Sequence, residues 1–402
     1  MNGLSIVERD AVERAMAAPM IGRVERWSAV NSGSRNLAGL DLTASLLADA
    51  FSILPGDAAF VTPDVVETVL ADGVVAPTDH GRHFHLAVRP DAPVRILLTG
   101  HMDTVFGVDH AFQSARWLDG DTLNGPGVAD MKGGLALMLA ALEAVEASPV
   151  APRLGYDVMI NSDEEVGSAS SAPLIARLAR GKTAALTYEP ALPDGTLAGA
   201  RAGSGNFSIV ITGRGAHAGR NPEDGRNALV AAADLAVRLK AAHRAGLKVN
   251  PARIDGGGPN NVVPDHAVLR VNFRPATLAD QEAAQALLDL LVAAIAADHQ
   301  VDIHSHGGFG RPPKPIDPLA QRLFALVRDA GADLGISIAW KSTGGVCDGN
   351  NIAACGIPVV DTMGARGGNI HSSDEFLIAS SLPERAALSA LTILRIAQRG
   401  TI

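Results

Sequence analysis

Histidine and carboxylate side chains recur in this sequence directly after short apolar runs, a placement that suits metal-assisted hydrolysis. His101 and Asp103 stand two apart in GHMDTV, behind the run VRILLTG. On a strand that spacing sends both side chains to one side, where the Asp can accept the second N–H of a ligating imidazole. A lone pair of this kind is more commonly a surface pair or a satisfied core contact. Asp130 follows NGPGVA and opens MKGGLALML, beside the positive end of a predicted helix. By itself it would read as an N-cap. NSDEEVGS supplies Glu164 and Glu165, which point in different directions, so one can ligate a metal while its neighbour stays free. An acidic triplet is otherwise an ordinary solvated loop. Glu189 at the end of AALTYE and His371 in GGNIHSSDEF extend the set to two imidazoles and three carboxylates. Zinc takes both donor types, and a shared carboxylate can bridge two ions about 3.5–4 Å apart.

Such a set needs elements that bring its members to one place. Residues 7–29 and 41–54 read as helices around the turn-forming NSGSRN, and HFHLAV, VRILLTG, YDVMIN and AALTYEP read as strands. Residues 130–147 form a strongly apolar helical pattern. Strands alternating with helices predict a doubly wound α/β layer, whose ligands gather at the carboxyl ends of the strands. From about Ala200 the rhythm changes: strand NFSIVITG, helix 226–242, strands ARIDGG and HAVLRVNF, helix 278–298, strand VDIHSH. This βαββαβ order predicts a ferredoxin-like α+β insert. A helical pattern at 318–330 and the strand IPVVDTMG resume the first domain. The expected division is 1–199 with 316–402, and 200–315 between them.

Composition narrows the partners. The chain has 402 residues, 47% hydrophobic, with 34 basic against 43 acidic residues and a net charge of −9. No basic block could follow a phosphate backbone, which argues against nucleic acid, and no apolar run reaches the roughly 18 residues of a membrane span. Glu8, Asp10 and Glu13 stand where a secretory signal would be basic, so a cytoplasmic location is expected. The two cysteines, Cys347 and Cys355, form no Cys-x-x-Cys pattern, leaving any metal to His, Asp and Glu.

The ordered series GHMDTV, GPGVADMKGG, DEEVGS, YEP, GRGAHAG, GGGPNNVVP and IHSSDEF resembles the superfamily of acetylornithine deacetylase, succinyl-diaminopimelate desuccinylase and carboxypeptidase G, over nearly the whole chain. GRGAHAGRNPEDGRNA is most similar to the glutamate carboxypeptidase branch. The resemblance implies a di-zinc catalytic domain with an inserted dimerisation or lid domain. Asp130 would bridge two Zn2+ ions, which Co2+ or Mn2+ could replace, with His101 and Glu189 on one and Glu165 and His371 on the other. Glu164 would be the general base and Asp103 would orient His101. A cis peptide between Asp130 and Met131 is also implied. His217 would reach the substrate carbonyl of a partner, which implies a homodimer. Asn261, Arg274, Arg311 and the turn Ser342, Thr343, Gly344 match positions for substrate recognition, where Arg and backbone N–H groups suit a carboxylate; alone, Arg274 would read as a solvated strand charge. Val346 and Cys347 depart from the small polar residues of many relatives. Arg366 near His371 would face either an acidic substrate group or solvent.

The function expected is hydrolysis of the amide bond in a small N-acyl amino acid or peptide with a free C-terminal carboxylate, glutamate being the first expected leaving group. A deacetylase, desuccinylase or di- or tripeptidase is the alternative within the same chemistry. A non-catalytic, metal-dependent binding protein is the alternative of another class, opposed by Glu164, because binding needs ligands but no free base beside them.

Overall fold

A computed structural model describes residues 3–402. Six strands make the central sheet, in the order Asp57–Val61, His83–Val88, Leu154–Asn161, Val94–His101, Ala184–Thr187, Val359–Val360. The last four run parallel, and the first two are added antiparallel at one edge. The parallel strands carry continuous apolar runs because helices cover both faces. Gly134–Glu146 and the C-terminal helix Ser381–Arg399 are buried along most of their length. The carboxyl ends of neighbouring strands therefore deliver His101, Glu164 and Glu189 to the same rim of the sheet.

Residues 204–311 build a four-stranded antiparallel sheet, ordered Leu247–Gly256, His266–Pro275, Ser204–Thr212, Asp302–Arg311. Helices Ala228–Ala241 and Leu278–His299 cover one face, and Phe207, Ile209, Ile211, Leu269, Val271 and Phe273 alternate inward to form a separate core. The connectivity is the βαββαβ order expected of a ferredoxin-like insert. The opposite face carries Asn206, Ser208, Arg270, Asn272 and Arg274. At one end of it lies a hairpin, Val66–Val69 with Val75–Thr78, from the first domain. Val69 packs on Val210 and Val268, and Arg270 Nη2 donates to the Val69 carbonyl at 2.9 Å.

Three local departures from the sequence pattern have physical causes. The single helix expected over 7–29 is two, Ile6–Ala17 and Met20–Ser28, separated at Pro19, whose ring pushes Ala18 into an extended conformation. The second predicted helix lies at Leu37–Phe51, because Asn36 caps it through Gly39 N. The helix expected from Asp130 is regular only from Gly134. Asp130 (φ −113°, ψ 85°) and Met131 (φ −138°, ψ 37°) are non-helical and joined by the cis peptide that the resemblance implied. Asp130 is thus no helix cap. The chain approaches Tyr188 so closely here that a Cβ on Gly134 would meet its carbonyl at 2.0 Å.

Candidate active site

His101 ends its strand with the ring held by its own loop. Nδ1 lies 3.0 Å from the Asp103 carbonyl and 3.4 Å from the Asp103 carboxylate, which leaves Nε2 facing Asp130 Oδ1 at 3.1 Å and Glu189 Oε2 at 3.7 Å. The other Asp130 oxygen, Oδ2, faces His371 Nε2 at 3.4 Å, and that nitrogen is 3.1 Å from Glu165 Oε2. One carboxylate therefore stands between two His–Glu pairs. His371 is carried in the left-handed region (φ 63°) on the loop between strands Gly367–Gly368 and Phe376–Ile378. It is the exposed member of a buried set.

The second acceptor of Asp103 is put to a use that its spacing from His101 did not suggest. Its oxygens accept the backbone N–H of Glu164 (3.1 Å) and of Glu165 (3.2 Å), and the Ser34 hydroxyl at 2.7 Å. Glu375 does the same for the Asp130 loop. Buried at 1% exposure, it accepts the N–H groups of Ala129 and Asp130 on Oε1 (3.0 and 3.1 Å) and of Gly127 on Oε2 (3.2 Å). Sequence reasoning passed over Glu375, although it stands four residues after His371 inside IHSSDEF.

The charges do not balance on their own. Burial pushes Glu164 up to about 7 against the opposing charge of Arg311, and pushes Glu165 to about 8 with Asp130 adding to it. Burial likewise raises Glu189. Hydrogen bonds that His371 donates to the Asp130 and Glu165 carboxylates raise it to about 10. Burial would lower His101, but Glu189, Asp103 and Asp130 outweigh it and hold the ring well above its ordinary value. Asp130 moves the other way: burial opposes, but its bonds with the two imidazoles lower it. Among the described residues, Glu189 Oε1 is buried without a hydrogen-bond partner. Arg311 Nη2 lies 2.7 Å from Glu164 Oε1 but out of line for a hydrogen bond, so that oxygen too is an unpaired acceptor. Crowded carboxylates with vacant lone pairs beside imidazole nitrogens fit divalent cations. By proximity alone the donor atoms fall into two groups within 4.8 Å, His101 with Asp130 and Glu165, and His101 with Glu164 and Glu189. We divide them instead by the two Asp130 oxygens, because each oxygen faces a different imidazole.

Asp130, Glu164, Glu165, Glu189 and His371 border a cavity of about 410 Å³, which Arg201, Arg274, Arg311, Thr343, Gly345 and Cys347 also line. Arg311 is less free than a carboxylate-capturing residue would be: Nη2 donates to the Glu164 carbonyl (2.9 Å) and to Ser168 Oγ (2.7 Å). Gly344 faces a different cavity from Thr343. Cys347 is buried, 3.6 Å from Asp361, which binds Arg201 at 2.7 Å and Lys314 at 2.9 Å. This buried ion cluster was not visible in sequence. Arg366 turns from the cavity to the Pro193 carbonyl and Glu384. His217 and Asn261 come together in the insert, where Ala218 N donates to the Asn261 carbonyl at 3.0 Å and His217 bridges to Val262. Both are exposed, and neither lines the cavity.

The sequence profile of Peptidase family M20/M25/M40 matches residues 97–395. The chain belongs to that family. It is a hydrolase acting on amide bonds, of a metal-dependent peptidase family, and its α/β fold with an inserted α+β layer is the family's. It is 32% identical to carboxypeptidase G2 of Pseudomonas sp. (strain RS-16) over 307 residues, 74% of this chain and 73% of that protein. A succinyl-diaminopimelate desuccinylase of Verminephrobacter eiseniae is 27% identical, over 71% of this chain and 75% of its own. Among solved structures, a tripeptidase of Staphylococcus aureus superposes with a TM-score of 0.72 at 22% identity, covering 96% of this chain and 99% of its own. A metallo-carboxypeptidase of Sulfolobus solfataricus gives 0.71 at 15% identity, covering 94% and 99%. Among the described residues no helix is long and apolar enough to cross a membrane.

Proposed function

We propose that this chain is a di-zinc hydrolase of N-acyl amino acids or small peptides with a free C-terminal carboxylate. The observation that carries this reading is the Asp130 carboxylate, with one oxygen toward His101 and Glu189 and the other toward Glu165 and His371. Asp130 would be shared by two ions, and each His–Glu pair would complete one of them. Such ions, when bound, lower the pKa of water and polarise a carbonyl oxygen.

The remaining steps belong to the protein. Glu164, buried at the cavity wall and not needed in either pair, takes the proton of the attacking water and returns it to the leaving nitrogen. Asp103 holds Glu164 and Glu165 by their backbone N–H groups and keeps the His101 ring turned. Arg274, Thr343 and Gly345 line the cavity, which supports their meeting the substrate carboxylate. His217 and Asn261, exposed and outside their own cavity, act in the site of a second copy, His217 donating to the scissile carbonyl oxygen. Val230 (51% exposed) and Val237 (69%) on the insert helix Ala228–Ala241 give that copy an apolar surface to cover. The insert boundaries are placed at 200 and 315, around the separate core.

The relationship to carboxypeptidase G2 supports a glutamate leaving group, and the desuccinylase relatives support N-acyl amino acids as the second substrate class. Amine release from a panel of N-acyl amino acids and dipeptides, with zinc- and cobalt-loaded protein, tests the reading. Loaded protein that turns over none of them, although it holds two ions per chain, would make it a binding protein.

A further inference from the structure

Lys248 and Arg274 face one another across the insert sheet with no acid between them. They are direct partners in the antiparallel register of Leu247–Gly256 and His266–Pro275. Side chains so placed stand about 5 Å apart, and like charges there repel. Arg274 Nε donates to Asn272 Oδ1 at 2.9 Å. Among the described residues neither cation has a carboxylate within ion-pair distance. Nearby Arg244 differs, since its Nη1 lies 2.9 Å from Asp280 and is already neutralised. Burial and the charge of Arg311 both push the Arg274 guanidinium down, the direction expected of a cation held without a counter-ion.

The pair opens on a cavity of about 430 Å³ that also touches Ala202, His243 and Gly344, and among the described residues no acidic side chain lines it. Gly344 brings the glycine-rich turn up to the ammonium: a Cβ there would lie 3.8 Å from Lys248 Nζ. Arg274 is common to this cavity, to the 410 Å³ cavity of the carboxylate cluster and to the 810 Å³ groove along the insert sheet. We infer that Lys248, Arg274 and the turn at Gly344 form a subsite for a compact oxyanion, a carboxylate or a phosphate, next to the site of amide cleavage. Bound there, the anion cancels the cross-strand repulsion and joins the insert to the turn of the first domain.

Two sources offer that chemistry, a second carboxylate on the substrate and a free inorganic oxyanion, and two measurements separate them. The first is the melting temperature in sodium phosphate against sodium chloride at equal ionic strength; it needs no turnover and so stands apart from the amidase reading. Phosphate should stabilise the unmodified protein and Lys248→Arg more than Lys248→Gln, which should keep only the general gain that phosphate gives a folded protein. The second compares N-acyl glutamate with the uncharged N-acyl glutamine. If the anion belongs to the substrate, Lys248→Gln should lose about 10- to 100-fold in kcat/KM on the glutamate compound, through KM, and nothing on the glutamine compound. A phosphate effect reduced in Lys248→Gln without any change in that substrate ratio identifies a free oxyanion. If Lys248→Gln matches the unmodified protein in phosphate response and in substrate ratio, the subsite does not exist. Should no amide be cleaved, the amidase reading fails and the phosphate measurement alone decides the subsite.

Discussion

Glu375→Gln isolates the support beneath Asp130 without touching any proposed ligand. In the unmodified protein the carboxylate accepts three buried N–H groups, two on Oε1 and one on Oε2. An amide keeps its oxygen for Ala129 and Asp130, but its NH2 then meets Gly127 N–H at 3.2 Å, donor against donor. One buried N–H left unpaired costs about 1–3 kcal/mol, and the two surviving bonds weaken because the acceptor is no longer charged. Relief of the repulsion that Asp130 exerts on Glu375, which together with burial raises it to about 7, works the other way. The raised value shows that burial and Asp130 outweigh the three bonds for the charge itself, so losing the charge costs little, and the unpaired Gly127 N–H sets a net loss of about 1–3 kcal/mol in denaturant unfolding of the metal-free protein. The Asp130 backbone also loses its anchor, and loss of an outer support of this kind typically weakens metal binding by about 10–100-fold. Chelator competition reads that affinity directly, whatever the turnover. Unchanged unfolding together with unchanged zinc affinity would refute the reasoning, because the three contacts would then hold nothing.

Glu164→Gln should retain two zinc ions by metal analysis while turnover falls by about 10²- to 10⁴-fold; loss of one ion would make Glu164 a ligand and not the base. Asp130→Ala should deplete both ions together, and one ion held at normal affinity would show that the carboxylate is not shared. Mixed and re-equilibrated Glu164→Gln and His217→Ala proteins should recover about a quarter of native activity, since half of the dimers are hybrids with one complete site of two. No recovery, with exchange verified by mass, would place His217 in its own chain's site. Burial opposes ionisation of Asp361, but Arg201 and Lys314 overcome it and hold its carboxyl below the ordinary 3.8. A depressed carboxylate stabilises above the unfolded value and loses that contribution as pH falls through the folded one, so the gap in melting temperature between unmodified protein and Asp361→Asn should be largest near neutrality and narrow below about pH 4. A gap constant from pH 7 to 3.5 would contradict the ion cluster.

The strands and their polar ends were legible because a buried parallel strand has few sequence disguises: ILL in VRILLTG, VMI in YDVMIN and AAL in AALT are apolar, and within a few residues of each come His101, Asp163 to Glu165, and Glu189. The insert was legible for a related reason, its alternation of Phe207, Ile209 and Ile211 with Ser208 and Val210 matching one covered face. Asp130 was misplaced in a helix because MKGGLALML has the right period. What displaces it is tertiary: the N–H groups of Gly127, Ala129 and Asp130, ahead of the regular helix, are taken by Glu375, 245 positions from Asp130. The hairpin at 66–78 was missed since its strands are four residues each and only Val69 is fully buried; it is held by Arg270 and the pair Val210 and Val268 from another part of the chain. Asp361 with Arg201 and Lys314 is likewise a product of tertiary packing, and no local pattern marks it.

The two carboxylates outside the ligand pairs, Asp103 and Glu375, perform one task by one means. Each accepts backbone N–H groups from the segment that carries a proposed metal ligand, which fixes the direction of that ligand without occupying a coordination position. A third segment is fixed differently. Arg311, at the end of the last insert strand, donates to the Glu164 carbonyl and to Ser168, with Asp348 at 3.6 Å behind it. The loop of the proposed base is thus tied on one side to the parallel sheet through Asp103 and on the other to the insert through Arg311. A rotation of the insert that carried Arg311 away would leave the Ser168 and Asp348 groups to each other and free the loop on that side. Glu165 shares that loop, so the position of the insert would bear on the proposed base and on one proposed ligand together. His101 and Asp130, held by Asp103 and by Glu375, have no tie to Arg311 and would stay where they are.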